Sequence, residues 1–234
     1  MRKLLRPLLI LTAVMTLALA GCSGSNTPVE PSPTPTPGPA TDAFATEYSA
    51  LNGQTNSAGR QYVDVNLLED HRFAISSEDE IRQLLTDGEG VIYFGFPNCP
   101  WCRNALEPMN AAAKRVGLEK IHYLNVLDIR DQKSLNESGE IVVEKEGTEF
   151  YQYLLEELGD FAPEYPNLND SSVRRILVPL VVSVVDGEVV ASHLGTVDSQ
   201  TDPYEPLTDE QFQELVTLYA MTFSQLPSCT ESAC

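Results

Sequence analysis

The sequence predicts an α/β sandwich, and three observations support this class. Runs typical of buried strands alternate with helical patterns over residues 61 to 126. A β-hairpin follows at residues 176–193, because apolar runs flank Asp186-Gly187, a dipeptide that favours a type I′ turn. Thr208 and Gln211 then form a capping box at the start of an amphipathic helix. This order of elements predicts a sheet that is covered by helices.

The elements before residue 127 each follow from a local signal. Residues 62–67 alternate between apolar and polar side chains, which predicts the first strand. Ser77 and Glu80 form a capping box that begins the first helix. The later predicted elements are a buried strand at 91–96, a helix from Cys99 to about Val116 that Gly117 caps, and a strand at 121–126. Strand, helix and strand in this order imply a parallel pair with a right-handed crossover.

Residues 128–175 interrupt this alternation of strands and helices. The segment is acidic and carries one helical pattern, at about residues 148–158. It is therefore predicted to be a partly helical insertion over one end of the sheet. Pro179 follows it within an apolar strand pattern, where a residue without an N–H marks an irregular or functional point.

The first residues predict export and lipid attachment. A basic start and a short apolar run are typical of a signal peptide, which we place at residues 1–21. Leu19-Ala-Gly-Cys22 resembles the bacterial lipoprotein signal, which implies that Cys22 carries lipid at the start of the mature chain. The alternative is an ordinary cleavage site with an incidental cysteine. A lipoprotein of this kind would lie outside the cytoplasmic membrane, where disulfides persist.

Composition divides the rest of the chain. Residues 22–60 are rich in Pro, Ser and Thr and are predicted to form an extended tether. The folded domain is placed at 61–226 and a short tail at 227–234. The formal net charge of −19 would repel nucleic acids and anionic lipids, so we expect no nucleic-acid partner and membrane attachment through the lipid.

Cys99 and Cys102 form a CxxC motif between a predicted strand and a predicted helix. The unpaired N–H groups and the dipole of a helix N-terminus stabilise a thiolate, which suits thiol–disulfide exchange. Half of a zinc site and a purely structural disulfide are the alternatives. Zinc prefers a second close pair of ligands, whereas the three histidines of the chain lie far apart. The motif and its context favour a redox pair, without metal or cofactor.

The segment Phe96-Pro-Asn-Cys-Pro-Trp-Cys102, followed much later by Val178-Pro179, resembles the active site of the thioredoxin superfamily. The resemblance covers about residues 61–226 and is nearest to the thioredoxin-like bacteriocin-transport accessory proteins. It implies a thioredoxin-like three-layer sandwich in which the insertion precedes the cis-proline strand.

The resemblance also implies a role for each residue of the motif. Cys99 matches the exposed attacking cysteine and Cys102 the buried resolving one, while Pro100 and Trp101 match the pair that tunes the reduction potential. Pro179 matches a proline whose preceding peptide bond is cis. Such a bond would orient the backbone of Val178 to pair with a substrate strand; the alternative is that a residue which cannot act as a metal ligand is needed near the thiolates.

The chain departs from the thioredoxin pattern at two positions. Tyr93 stands, by its spacing from Cys99, where thioredoxins carry a buried acidic residue that manages the proton of the resolving cysteine. Pro108 lies one residue later than the usual helix kink. Near the motif, only the helix terminus and Arg103 are expected to favour the thiolate. These departures leave oxidase and isomerase roles open beside a reductase role.

The sequence thus predicts a membrane-anchored, extracytoplasmic thiol–disulfide oxidoreductase. Its expected partners are thiols and disulfides of exported proteins and a membrane or extracytoplasmic redox protein. The alternative is a redox-inert binding or chaperone-like lipoprotein in which CxxC is a structural bridge.

Cys229 and Cys234 form a second close pair at the end of the chain. They are predicted either to close a small terminal disulfide loop or to act as a relay that exchanges electrons with the CxxC pair. Pairing between molecules and the absence of any role are the further alternatives.

Overall fold

A computed structural model describes residues 42–229. The helices are α1 (Ala43–Ser49), α2 (Glu78–Asp87), α3 (Pro100–Arg115), α4 (Glu149–Leu158) and α5 (Asp209–Phe223). The strands are β1 (Phe73–Ile75), β2 (Gly90–Gly95), β3 (Ile121–Asn125), β4 (Gln132–Leu135), β5 (Ile141–Lys145), β6 (Leu180–Val185) and β7 (Glu188–Leu194). No helix between residues 42 and 229 is both long and apolar enough to cross a membrane.

Five strands form one mixed sheet in the order β1-β3-β2-β6-β7. β1, β3 and β2 run parallel, whereas β6 is antiparallel to β2 and β7 is antiparallel to β6. β2 lies at the centre, and five of its six residues are buried. Helices flank this sheet, which agrees with the predicted α/β sandwich.

The end signals of three helices are confirmed. Both predicted capping boxes, at the starts of α2 and α5, are present in full. α3 ends in a Schellman motif, because Gly117 has a φ of 73° and the N–H of Leu118 donates to the carbonyl of Ala113 at 2.8 Å. The predicted hairpin is also present, and both residues of its turn, Asp186 and Gly187, have positive φ.

The prediction of a first strand at residues 62–67 is wrong, since the first strand is β1 (Phe73–Ile75). The side chain of Asn52 instead brackets Val65, accepting from its N–H at 2.9 Å and donating to its carbonyl at 2.8 Å. Arg103 Nε donates to the carbonyl of Val63 at 2.6 Å. Side chains satisfy backbone groups that a neighbouring strand would otherwise have to pair.

The predicted tether extends too far along the chain. Asp42 caps α1, and Phe44 and Tyr48 of that helix are 1% and 0% exposed in the main core. The folded domain therefore begins near residue 42 rather than 61, because the composition that indicated a tether comes from prolines that end at residue 39. The predicted signal peptide, Cys22 and the tether up to residue 41 lie outside the described residues.

The insertion contains the predicted helix, α4, and also a hairpin of β4 and β5 that the sequence did not indicate. No residue of this hairpin is buried, so its strands lack the apolar alternation that reveals a half-buried strand. α4 is tied to the approach to Pro179, because the hydroxyl of Tyr151 accepts a hydrogen bond from the N–H of Ile176 at 3.1 Å.

Candidate functional site

The candidate site is built where β2 ends and α3 begins. The turn Phe96-Pro-Asn leads to Cys99, the N-cap residue of α3, whose backbone is still extended. The Sγ of Cys99 accepts a hydrogen bond from the backbone N–H of Cys102 at 3.2 Å. Pro100 occupies the first turn, where its missing N–H leaves no donor unpaired. The sulfur of Cys99 thus takes the place that a capping oxygen usually fills.

The two sulfurs have different environments. Cys99 is 6% exposed, whereas Cys102 is fully buried, and both are unbonded thiols in this structure. Hydrogen bonds from the Cys102 side chain and from the backbone N–H groups of Cys102 and Trp101 lower the pKa of Cys99. Burial, followed by the interaction with Cys99, raises the pKa of Cys102 well above its usual range. The Cys99 thiol therefore ionises more readily than an ordinary thiol, whereas the Cys102 thiol beside it stays protonated.

Arg130 is the cation that helps to lower the pKa of Cys99. It follows β3, is half-buried and lies over the ring of Phe96 at 4.6 Å. Sequence reasoning missed this residue, because nothing in the local pattern brings the end of β3 to the start of α3.

Arg103, which the sequence suggested as the neighbouring cation, has another role. Its guanidinium donates to the carbonyls of Val63 and Tyr48, at 2.6 and 2.8 Å, and to Oδ1 of Asn52 at 2.7 Å. Burial lowers the pKa of this guanidinium. Arg103 therefore fixes α3 to the segment that follows α1.

The peptide bond between Val178 and Pro179 is cis, as the resemblance implied. The thiol of Cys99 lies 3.7 Å from the carbonyl oxygen of Val178, so the two parts of the motif meet across 79 residues. Pro179 is buried, whereas Val178, Pro100 and Trp101 are half-buried. The structure thus brings together Cys99, Cys102 and the Val178-Pro179 bond.

Tyr93 lies on β2 beneath the cysteines and is fully buried. Its hydroxyl lies 2.8 Å from the hydroxyl of Tyr48, and its interaction with Cys102 offsets part of the rise in the pKa of that thiol. Gly95 makes room for this phenol, because a Cβ at Gly95 would meet Cε2 of Tyr93 at 2.8 Å and lie nearer still to the hydroxyl. Tyr93, at the position where the resemblance implies a buried acid, therefore lies beside Cys102.

A cavity of about 570 Å³ lies beside α3. Its lining includes Arg60, Tyr62, Asn104, Glu107 and Tyr204. Burial raises the pKa of Glu107. Nothing in the sequence indicated this cavity, because its walls come from segments far apart in the chain.

Cys229 is distant from the CxxC pair. It is 4% exposed and belongs to the main core, and burial raises its pKa. The neighbouring Ser228 N–H donates to Glu89, which precedes β2, whereas Cys99 follows the other end of that strand. The length of β2 separates the two sites by about 20 Å. Cys234 lies outside the described residues, so its pairing with Cys229 stays a prediction.

Between residues 42 and 229, no three side chains of His, Cys, Asp or Glu are grouped so that they could hold a metal ion. In comparisons with known proteins, no family model matches the chain, and none of the curated proteins matches it significantly.

Proposed function

We propose that this protein is a thiol–disulfide oxidoreductase with a thioredoxin-like fold. The observation that carries the proposal is the pairing of Cys99, capped by backbone N–H groups and lowered in pKa, with the buried Cys102 directly beside it. A cis Val178-Pro179 bond opposite the nucleophile and the antiparallel β6–β7 hairpin support the thioredoxin-like assignment. This assignment comes from the resemblance of the motif and of the element order.

The proposed reaction uses the two sulfurs in sequence. The Cys99 thiolate attacks a substrate disulfide, so that a Cys99–substrate bond forms and the other substrate sulfur leaves with the electron pair. Cys102 then loses its proton and attacks the Sγ of Cys99, which releases the second substrate thiolate. The Cys99–Cys102 disulfide forms, and the substrate is reduced by two electrons. The same steps in reverse oxidise a substrate dithiol.

The backbone next to the cis bond offers a place for the substrate chain. Val178 is half-buried and its carbonyl faces Cys99 at 3.7 Å, so a substrate strand that pairs there would bring its sulfur to the nucleophile. Backbone pairing of this kind recognises an extended chain and depends little on its side chains. Such a site could therefore accept many different exported proteins as substrates. We place the reaction outside the cytoplasmic membrane, with the domain held there by lipid on Cys22.

Substitution of the nucleophile tests the proposal. Cys99→Ser is expected to reduce insulin reduction in the presence of dithiothreitol to the uncatalysed rate. Cys102→Ser is expected to retain the attack and to accumulate a mixed disulfide that reducing agents release. Cys229→Ser is the matched control, a buried cysteine outside the site, and should keep the rate of the unmodified protein. Exchange that survives Cys99→Ser would refute the proposal.

A redox-inert binding module is the second candidate function, and the cavity beside α3 favours it. Aromatic and charged side chains line that cavity, which is a common composition for a binding site. In a binding module the CxxC pair would form a permanent bridge. A reversible Cys99–Cys102 reduction potential in glutathione buffers would exclude this candidate, whereas a disulfide that resists reduction would support it.

A further inference from the structure

Cys102 must lose a proton before it can resolve a mixed disulfide, yet it is fully buried. Its side-chain hydrogen-bonding partners are Cys99 and Tyr93. During resolution Cys99 is bonded to the substrate and cannot accept the proton. Tyr93 is therefore the neighbour through which the proton can leave.

Tyr93 is the first member of a series of neighbouring hydroxyl groups. The Tyr93 hydroxyl lies 2.8 Å from that of Tyr48. The ring of Tyr48 packs edge-on against that of Tyr123, with centroids 5.8 Å apart, and the interaction with Tyr123 helps to raise the pKa of Tyr48. The Tyr123 hydroxyl donates to Oε1 of Glu47 at 3.1 Å. We call this series the hydroxyl chain; its members are the hydroxyls of Tyr93, Tyr48 and Tyr123 and the carboxyl group of Glu47. It runs from the buried sulfur to a half-exposed side chain of α1.

We propose that the hydroxyl chain conducts the Cys102 thiol proton to Glu47 while Cys102 attacks the mixed disulfide. This inference rests on the proposed thiol–disulfide exchange. In the step, the Cys102 proton passes to the oxygen of Tyr93, and each hydroxyl passes its own proton to the next oxygen. Glu47 gains one proton and later releases it to solvent. Electrons move only between the sulfurs, as described above.

The hydrogen bond from Tyr123 to Glu47 has the direction that this transfer requires. Because the Tyr123 hydroxyl donates to Glu47, its oxygen is free to accept from Tyr48, and the oxygen of Tyr48 is in turn free to accept from Tyr93. After the transfer the chain points the other way, so that Tyr93 donates to the new Cys102 thiolate. Burial raises the pKa of all three tyrosines, so none of them is expected to exist as a phenolate during the transfer. The protons therefore have to move along the chain in one concerted step.

Tertiary packing holds these groups in place. Tyr93 and Tyr123 are direct partners in the parallel pairing of β2 and β3, with ring centroids 5.4 Å apart. Asn125 Nδ2 donates to Glu47 at 2.7 Å and fixes the carboxyl group at the end of the chain. The other titratable groups that face this region are Tyr219 of α5, toward Cys102, and Arg103 of α3, toward Tyr48.

A single-turnover reaction with Ellman's reagent separates the two steps. The full chain carrying Cys22→Ser, Cys229→Ser and Cys234→Ser retains only the CxxC thiols. Attack by Cys99 releases one thionitrobenzoate, and attack by Cys102 on the resulting mixed disulfide releases a second. Rapid mixing between pH 5 and 9 would record both phases, and only the second requires the hydroxyl chain.

Glu47→Gln and Tyr93→Phe are expected to slow the second phase about 10²-fold near neutral pH, the usual scale of a lost proton-transfer group. Their first phase should stay within about twofold of the parent, on the same reasoning. Tyr219→Phe is the matched control, because Tyr219 is a fully buried tyrosine beside the site whose hydroxyl donates to the Gly195 carbonyl, outside the chain. Both of its phases should be unchanged.

Three outcomes would overturn the inference. A second phase that keeps its rate in Glu47→Gln at every pH would show that the chain does not carry the proton to Glu47. Slowing confined to Tyr93→Phe would show a local contact with Cys102 rather than a path. Absence of a first phase in the parent protein would refute the proposed function and the relay with it. Glu47 is half-exposed, so its variant remains informative if Tyr93→Phe does not fold.

Discussion

Replacement of Gly95 by alanine tests how tightly the Tyr93 phenol fits under the cysteines. The added Cβ would lie 2.8 Å from Cε2 of Tyr93 and nearer still to its hydroxyl. Tyr93 is 0% exposed and is enclosed by the core, so the ring cannot swing into solvent. Overpacking of this kind costs about 1–3 kcal/mol. Loss of the hydrogen bond to Tyr48 adds about 1 kcal/mol.

Urea unfolding measures this loss directly. A decrease of about 3 kcal/mol would lower the midpoint by roughly 1–3 M, given ordinary slopes. Gly90→Ala, at the start of the same strand, is the matched control. Its Cβ would meet Leu84 Cδ2 at 3.1 Å, the flexible end of a side chain, so the expected change is under about 1 kcal/mol. A Gly95→Ala variant as stable as the Gly90→Ala variant would refute the packing described for Tyr93.

Three further predictions follow from the same geometry. Because the pKa of Cys99 is lowered, its alkylation by iodoacetamide should stay fast as the pH falls below about 8.5, the pKa of an ordinary thiol. Arg130→Met should move the decline in this rate to higher pH, and an unchanged profile would contradict the contact. Asn52→Leu removes one of the hydrogen bonds of Arg103 and leaves the backbone N–H and carbonyl of Val65 without their partner, and it should cost about 2–4 kcal/mol in urea unfolding. Phe44→Ala should cost about 3–5 kcal/mol if α1 belongs to the domain, whereas deletion of a side chain from a mere tether would cost nothing.

Signals within a few residues predicted the elements that surround the site. The capping box of Ser77 and Glu80, the Asp186-Gly187 turn and the Gly117 cap each depend on local backbone geometry, so one sequence is enough to find them. The CxxC pair was predicted at the start of a helix for the same reason. Its position opposite the Val178-Pro179 bond came from the resemblance to a family, since no local rule joins residues 79 positions apart.

The elements that sequence reasoning missed depend on distant partners. Residues 62–67 show strand-like alternation, but Asn52 and Arg103 bond to backbone groups of Val63 and Val65, and a periodic pattern cannot reveal that competition. β1 is only three residues long and gains its pairing from β3. The sequence does not indicate the hydroxyl chain for the same reason. Tyr48 falls within the predicted tether, whereas its hydroxyl bonds to Tyr93, 45 residues later.

The tyrosine beneath the cysteines changes how the two thiols influence each other. A buried carboxylate at this position would place a negative charge near Cys102 and, through it, oppose the Cys99 thiolate. A neutral phenol adds no such charge, so the hydrogen bonds at the N-terminus of α3 lower the pKa of Cys99 without this opposition. The proton of Cys102 then needs another acceptor, and the structure offers Glu47 at the far end of three hydroxyls. In the proposed mechanism, the absence of a buried carboxylate at Tyr93 and the path to Glu47 are therefore two parts of one arrangement, and α1 contributes to the proposed site as well as to the fold.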